Sequence, residues 1–441
     1  MNVPRARRSR TTRPSHQNPH HPTPRQQKEV GPMKPMRTAG AVALALVTAA
    51  SLAACSNTDG GSADAPGVTE DTIKLGHITD LTGPWGPVGK KYLAGSQLWV
   101  DAVNDDGGVC GRDVELVVRD HKNNTQDAVT IYRELENQVL GVQSILGSGP
   151  MLAVAPSLNQ DKVLASSYAW DEFLLEGNET VFLPGATYEV NAVALTEWVV
   201  KERGLKEGDT IALLRYDGIF EGVLTGMEMV AEEYGLNLVE QKMQVTDSDF
   251  TAPVRAFKKE DAKIVMAAIG TAHLGGFAST AASQGLEPAI LSPSPGNFDE
   301  SLLEGASKEI FEKNSYFASP FAAWDNESEG AAEVRAAFEK YGEGEPNFGL
   351  MLGYAQAEVF GRVLESGCED GEITRESVAD AFAGIDSLET DGMMSELDFT
   401  RGEGKSQSLE VSILQPDSSA TTGFTEVQEP FVSDLVVKND L

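Results

Sequence analysis

Histidine and cysteine are scarce in this chain, and the patterns in which they do chemistry are missing. Its 441 residues include six histidines and three cysteines. No His-Glu-x-x-His and no Cys-x-x-Cys occurs, which excludes the helical zinc site and the dithiol pair. No Gly-x-Ser-x-Gly occurs either, so the exposed serine nucleophile of the strand–turn–helix hydrolases is absent. Only His77, His121 and His273 lie beyond Cys55, and a lone histidine more often serves as a hydrogen-bonding group than as a catalyst. An enzyme is not expected, and neither a metal nor a cofactor is implied.

Nucleotide fingerprints fail as well. A P-loop needs four residues between its first glycine and Gly-Lys; Gly83 to Gly89 has five, and Lys91 stands where Ser or Thr belongs. Gly147-Ser148-Gly149 opens like a dinucleotide loop, but Leu152 occupies the third glycine position. Positive charge is also short. The formal net charge is −32; residues 55–441 carry 26 basic against 66 acidic groups, a net of −40. That balance repels nucleic acid and anionic membrane surfaces.

Long apolar runs are missing too. The run over residues 39–50 is shorter than the roughly 18 residues needed to span a bilayer. It follows the basic stretch Met33-Lys34-Pro35-Met36-Arg37 and precedes Leu52-Ala53-Ala54-Cys55. A basic start, a short apolar core and small residues before the end make a secretory signal peptide. Leu-Ala-Ala-Cys resembles the lipobox at which bacterial lipoproteins are cleaved and acylated, with Cys55 as the lipidated residue. Residues 1–54 are thus expected to be an upstream tail and lipoprotein signal, with a true start at Met33 or Met36. Residues 55–66 read as lipidated Cys and a flexible Gly/Ser/Asp/Ala tether. The expected location is the outer face of the cytoplasmic membrane, held by lipid alone. Cys110 and Cys368 then sit in an oxidising compartment, where either a disulfide or two buried thiols would serve; the compartment favours the bridge.

What is present is organised around residues 73–120. Ile73, Leu75 and Ile78 form a short apolar run. Gly83-Pro84-Trp85-Gly86-Pro87 breaks it, Tyr92, Leu93, Trp99, Ala102 and Val103 recur at helical spacing, and Val114, Leu116, Val117 and Val118 make a second strand. Strand, helix, strand over this length is a βαβ unit with parallel strands. Strands are expected at 143–146, 163–165, 210–214, 236–245, 264–269 and 289–291. Helices are expected to begin near Met151, with a kink at Pro156, and over 191–200, up to Tyr234, 252–259, up to Gln284, 347–366 and 374–383. Segments 396–399 and 408–414 alternate like edge strands, and the remaining tail is too polar to assign. Residues 191–296 repeat the alternation of 73–187, so two similar α/β halves are expected.

In open parallel sheets ligands bind at the carboxyl ends of the strands. The loop over 81–89 presents Trp85 there; Ser148 and Gly149 open a helix after the third strand; Tyr168, Ala169 and Trp170 follow the fourth. In the second half Tyr216, Thr271, His273 and Ser294 hold the same kind of position. Trp99 and Trp198 read as core, and Trp324, in a polar loop, as a surface or rim residue.

The order of elements and several phrases resemble the solute-binding lipoproteins of branched-chain amino acid ABC importers, the Leu/Ile/Val-binding type. The phrases are Ile73-Lys74-Leu75-Gly76, Leu81-Thr82-Gly83-Pro84, Gly95, the stretch 104–111 and Gly353-Tyr354-Ala355-Gln356-Ala357. This resemblance implies a two-lobed periplasmic-binding-protein type I fold, each lobe a mostly parallel sheet flanked by helices. The chain would cross three times, near Tyr188, Phe317 and Gly402: lobe 1 from 67–187 plus 317–401, lobe 2 from 188–316 plus 402–441. It implies capture of a small solute in the cleft by a monomer, hinge closure, and delivery to permease subunits; the same fold also serves sensory receptors. In amino-acid binders of the type, the loop after the third strand supplies a serine, matching Ser148 or Gly149. The next loop holds the α-carboxylate, and Trp170 falls where a threonine belongs. The second lobe supplies a tyrosine and an acid for the α-ammonium, yet Ile219, Gly270, Thr271 and Ser294 hold those places. A ring-bearing or amide ligand suits Trp85, Tyr168 and Trp170 better than a zwitterion.

Overall fold

A computed structural model describes residues 65–305, 307–368 and 371–441. The basic tail, the signal, Cys55 and the tether to residue 64 lie outside the described residues.

The first layer is built from β1 (Thr72–Thr79), α1 (Gly86–Asp105), β2 (Asp113–Asp120), α2 (Thr125–Leu135), β3 (Gly141–Ile145), α3 (Ser148–Asp161), β4 (Ala165–Ser167) and β5 (Val181–Phe182). Its strands are parallel, in the order β2-β1-β3-β4-β5. Helix α1 starts where the loop's prolines allow it, since Pro87 lies in the first turn and a missing N–H costs nothing there. It stops at Gly107 and Gly108, both at positive φ (108° and 72°). Every residue of β3 is buried, as a strand covered on both faces requires.

The chain then runs through α4 (Tyr188–Arg203), β6 (Thr210–Tyr216), α5 (Glu221–Tyr234), β7 (Asn237–Met243), α6 (Thr251–Lys259), β8 (Ile264–Ala268), α7 (Thr271–Ser283), β9 (Ala289–Ser292), α8 (Lys308–Asn314) and β10 (Ser315–Ser319). Helix α4 is capped at both ends, by the Thr187 hydroxyl accepting from the Val190 N–H and by left-handed Gly204. After β10 come α9 (Glu329–Tyr341), α10 (Phe348–Ser366) and α11 (Arg375–Phe382), then β11 (Glu410–Pro416), β12 (Phe424–Val432) and α12 (Asp434–Asn439). The second sheet has the order β12-β11-β10-β9-β8-β6-β7, with β11 and β12 antiparallel. Phe317 lies within β10, paired with Leu414 of β11. Two parallel-dominated sheets flanked by helices is the architecture expected from the alternation.

Helix α10 packs on α1 of the first layer, and two glycines set their distance. A Cβ on Gly95 would lie 1.9 Å from the Leu350 carbonyl, and one on Gly353 would lie 2.1 Å from the Tyr92 carbonyl. The backbones touch at both glycines, so neither position accepts a side chain. Cys110 and Cys368 form a disulfide with Cα atoms 6.1 Å apart, tying the turn after α1 to the end of α10.

Several local expectations shift. Helix α3 begins at Ser148 rather than Met151 and runs through Pro156. The fourth strand is Ala165–Ser167, two residues later than its apolar run, because Ala165 pairs with Val142 and Val181. Residues 396–399 form no strand; Leu397 makes only an isolated bridge to Leu388. The tail instead supplies β12, an edge strand in which only Phe424 is buried and Val427 and Val432 are exposed, so no clean alternation marks it. Trp324 is not a rim residue: it is 6% exposed and packs edge-on against Phe338 at 5.6 Å.

Candidate functional site

The loops at the carboxyl ends of the two sheets face each other across a cavity of about 390 Å³. From the first layer it is lined by Trp85, Tyr92, Asn123, Thr125, Tyr168, Ala169 and the start of α3 (Ser148, Gly149). Tyr188, Gly218, Ile219, Phe220, Ser294 and Asn297 close it from the other side, with Val245 at the edge.

Each first-layer group is placed by the end of its strand. Asp80, just past β1, accepts from the Gly83 N–H (2.5 Å) and the Trp85 N–H (2.9 Å). Asp120, the last residue of β2, accepts from the Leu81 N–H and the Thr82 hydroxyl. Two strand-end carboxylates thereby tie down the Gly/Pro loop; what burial there is raises Asp120, but the Leu81, Thr82 and Lys122 donors outweigh it and leave the acid below the usual carboxylate range. The Trp85 ring crosses toward the second sheet: a Cβ on Gly270 would lie 3.3 Å from it. Tyr168 is buried, its ring 4.1 Å from that of Tyr92 and its hydroxyl 3.3 Å from Ser96 Oγ. Burial pushes both tyrosine hydroxyls up, so neither brings charge to the lining. The Ala169 N–H is turned back onto Ser167 Oγ (3.0 Å).

No lining residue is charged. Apolar surface dominates, and it continues to the mouth, where Leu152 and Val245 are 49% and 40% exposed. Such a cavity recognises an apolar body through burial and reads a small head group through few polar contacts.

Of the residues singled out in the sequence, Trp85, Ser148, Gly149, Tyr168, Ala169 and Ser294 line this cavity. Trp170 does not; it packs between Tyr188 (5.9 Å) and Phe321 (5.7 Å), 2% exposed. Tyr216 is also turned inward, its hydroxyl accepting from the Gly270 N–H (2.9 Å) and meeting His273 Nδ1 (2.5 Å). Thr271 donates to the Asn297 carbonyl (3.0 Å) and lines a smaller neighbouring cavity. His273, Tyr216 and Thr271 thus brace the loops behind the lining. Sequence reading passed over Asn123 and Thr125, although the carboxyl-end rule covers the loop after β2 as well. It also passed over Phe220, held at φ 60° as α5 begins; nothing in the chain announces a left-handed phenylalanine.

Beside the cavity lie two acids. Ser148 Oγ donates to Asp171 Oδ2 at 2.5 Å, and Asp171 is wholly buried. Burial pushes Asp171 up to about 6 and Glu172 up to about 7. At the opposite rim Lys91 of α1 donates to Asp299 and Glu300, each at 2.8 Å.

A family model of periplasmic binding proteins matches residues 72–419. The chain belongs to the periplasmic binding protein family. Among solved structures it is similar to a fatty acid ABC transporter substrate-binding protein from Thermomonospora curvata, with 32% identity and a TM-score of 0.79, over 85% of this chain and 96% of that one. A Thermus thermophilus branched-chain amino acid ABC transporter protein with bound valine shares 21% identity at a TM-score of 0.74, over 84% and 99% of the two chains. The Leu-, Ile-, Val-, Thr- and Ala-binding protein of Pseudomonas aeruginosa is 22% identical over 319 residues, 70% of this chain and 82% of its own length. As a periplasmic binding protein, the chain has the two-lobed type I fold, works outside the cytoplasm, and binds solute rather than transforming it. Among the described residues no helix is long and apolar enough to cross a membrane.

Proposed function

We propose that this periplasmic binding protein captures a small organic solute with an apolar body and one polar head, and delivers it to the permease of an ABC importer. The observation that carries the reading is the lining: mostly aromatic and aliphatic side chains, a few neutral polar ones such as Asn123, Thr125 and Ser148, and no charged group. A zwitterionic amino acid needs a partner for its ammonium, and an unpaired buried charge is costly. The similarity to a fatty acid ABC transporter protein supports an apolar ligand. The lobes, 67–187 plus 317–401 and 188–316 plus 402–441, hinge shut on the solute as a monomer, which excludes water and strengthens the few polar contacts. Cys55 carries lipid, and residues 56–66 tether the folded part to the membrane.

Thermal unfolding of the full-length chain against a panel of amino acids, aromatic acids, fatty acids and amides tests this. A ligand at a hundredfold excess over its dissociation constant stabilises by about 2.7 kcal/mol. Shifts confined to apolar solutes are the expected result; a shift with leucine, isoleucine or valine alone refutes the uncharged-lining argument.

A further inference from the structure

We propose that Asp171, which does not itself line the cavity, decides which head group the cleft accepts. By holding the Ser148 hydroxyl hydrogen, it selects a head that brings its own hydrogen, a carboxamide or an undissociated acid, over a carboxylate. This rests on the cleft being the ligand site.

A serine hydroxyl has one hydrogen and two lone pairs. Ser148 gives that hydrogen to Asp171 Oδ2 (2.5 Å), so only lone pairs are left for the cavity that Ser148 lines. Asp171 has strong reason to keep the hydrogen. Its other oxygen, Oδ1, makes no hydrogen bond, although the Phe220 N–H of the facing loop points toward the carboxylate. Among the described residues no cation pairs with it. On its own loop it is faced by Glu172, from the start of α5 by Glu221, and from the start of α4 by Tyr188. The nearby guanidinium, Arg215, is already held by Glu221 (2.8 Å) and Glu240 (2.7 Å). Ser148 is therefore the one side chain that hydrogen-bonds Asp171 among the described residues. A buried anion whose one side-chain donor is Ser148 does not release it readily.

Next to Ser148, in the first turn of α3, the Gly149 N–H has no carbonyl to reach within the helix, and Gly149 is exposed to the cavity. Pro150, the following residue, has no N–H. An acceptor at Ser148 Oγ thus stands beside a donor at Gly149. A primary carboxamide or a neutral carboxylic acid presents a donor and an acceptor in one planar group and matches both. A carboxylate presents acceptors only, and its charge would face Asp171 across one hydroxyl. Burial also moves Asp171 up to about 6, with the Ser148 and Phe220 donors holding it back and Glu221 pushing it further. Below that pH the acid loses its hold on the Ser148 hydrogen, and the bar against carboxylates relaxes.

The test is calorimetric titration of the full-length chain with two matched pairs, benzamide with benzoate and octanamide with octanoate, from pH 8 to 5.5. In the wild type the amide of at least one pair binds tighter at pH 8 by about tenfold or more. The gap narrows at pH 5.5 because the carboxylate improves. In Asp171→Asn the gap at pH 8 falls to within about threefold and the carboxylate loses its pH dependence; ionisation of the probe itself would persist in the variant, which separates the two causes. Should that variant not fold, Ser148→Ala reads the same device: the amide loses its advantage. A wild type that prefers the carboxylate at pH 8, a ratio unmoved by Asp171→Asn, or binding of neither pair while other solutes bind overturns the proposal. Failure of every solute in the panel overturns the cleft reading instead.

Discussion

Two of the contacts that link the loops of the first layer to those of the second are made with carboxylates. At the rim Asp299 and Glu300 share Lys91; at the inner end Asp171 and Glu172 meet the start of α5, where Arg215 is held by Glu221. Burial opposes charge at both places. At the rim two hydrogen bonds to carboxylates outweigh it, so Lys91 is raised and Asp299 lowered. At the inner end nothing outweighs it, and both acids rise. The same residue type therefore titrates in opposite directions some residues apart, and its partner rather than its identity sets the sign. The rim contact should answer to salt, and the inner contact to pH.

Tyr188→Ala should break the comparison most severely. Its ring sits between Trp170 (5.9 Å) and Phe220 (4.9 Å) at the inner end, and emptying such a site costs about 3–5 kcal/mol. Urea denaturation measures the loss, and ligand-induced stabilisation should vanish with it.

Glu172→Gln should act in the opposite direction. The Glu172 carboxylate fills the space that a Cβ on Gly222, in the first turn of α5, would take, and its Oε2 has no hydrogen-bond partner. Its pKa is near 7 in the folded protein and near the ordinary 4.5 when unfolded. Below the ordinary value both states are protonated and folding bears no penalty; the penalty grows as pH rises to about 7 and is complete above it. The wild type should gain stability from pH 8 to 5, and the glutamine variant, at pH 8, should exceed it by on the order of 2 kcal/mol. A difference that stays flat with pH would remove the contrast between the two contacts.

Lys91→Ala should have the smallest effect. The pair is partly exposed, with side chains 27%, 34% and 41% accessible, so its removal should cost under about 1 kcal/mol. That loss should disappear in about 1 M salt, where the screening length falls to roughly 3 Å. A loss that survives high salt would mean that Lys91 holds the rim through its packed stem rather than its charge.

The fold was legible because strand and helix periods alternate cleanly, with breaks such as Gly83-Pro84 and Gly107-Gly108 between them. The lining was legible in part for one reason: carboxyl-end loops converge whatever their side chains. Thus Trp85, Ser148, Tyr168 and Ser294 could be named. Which neighbour in a loop faces the cavity could not. Tyr168 lines it while Trp170, two positions on, is turned into the core, a matter of loop path that composition does not record. Asp171 was invisible for a related reason. An acid in a loop reads as solvated until the structure shows it fully buried beneath Ser148. β12 escaped because only Phe424 of its nine residues is buried, which leaves no alternation to read.

The disulfide has one more consequence. Cys110 and Cys368 are 258 positions apart, so they close a covalent ring that contains β6 to β10, while β11 and β12 of the same sheet lie outside it. A protease that cuts any exposed turn between the two cysteines opens the ring without releasing a fragment. The nicked molecule keeps its full mass until a reductant is added, and the antiparallel β10–β11 seam joins strands from the two sides of that covalent boundary.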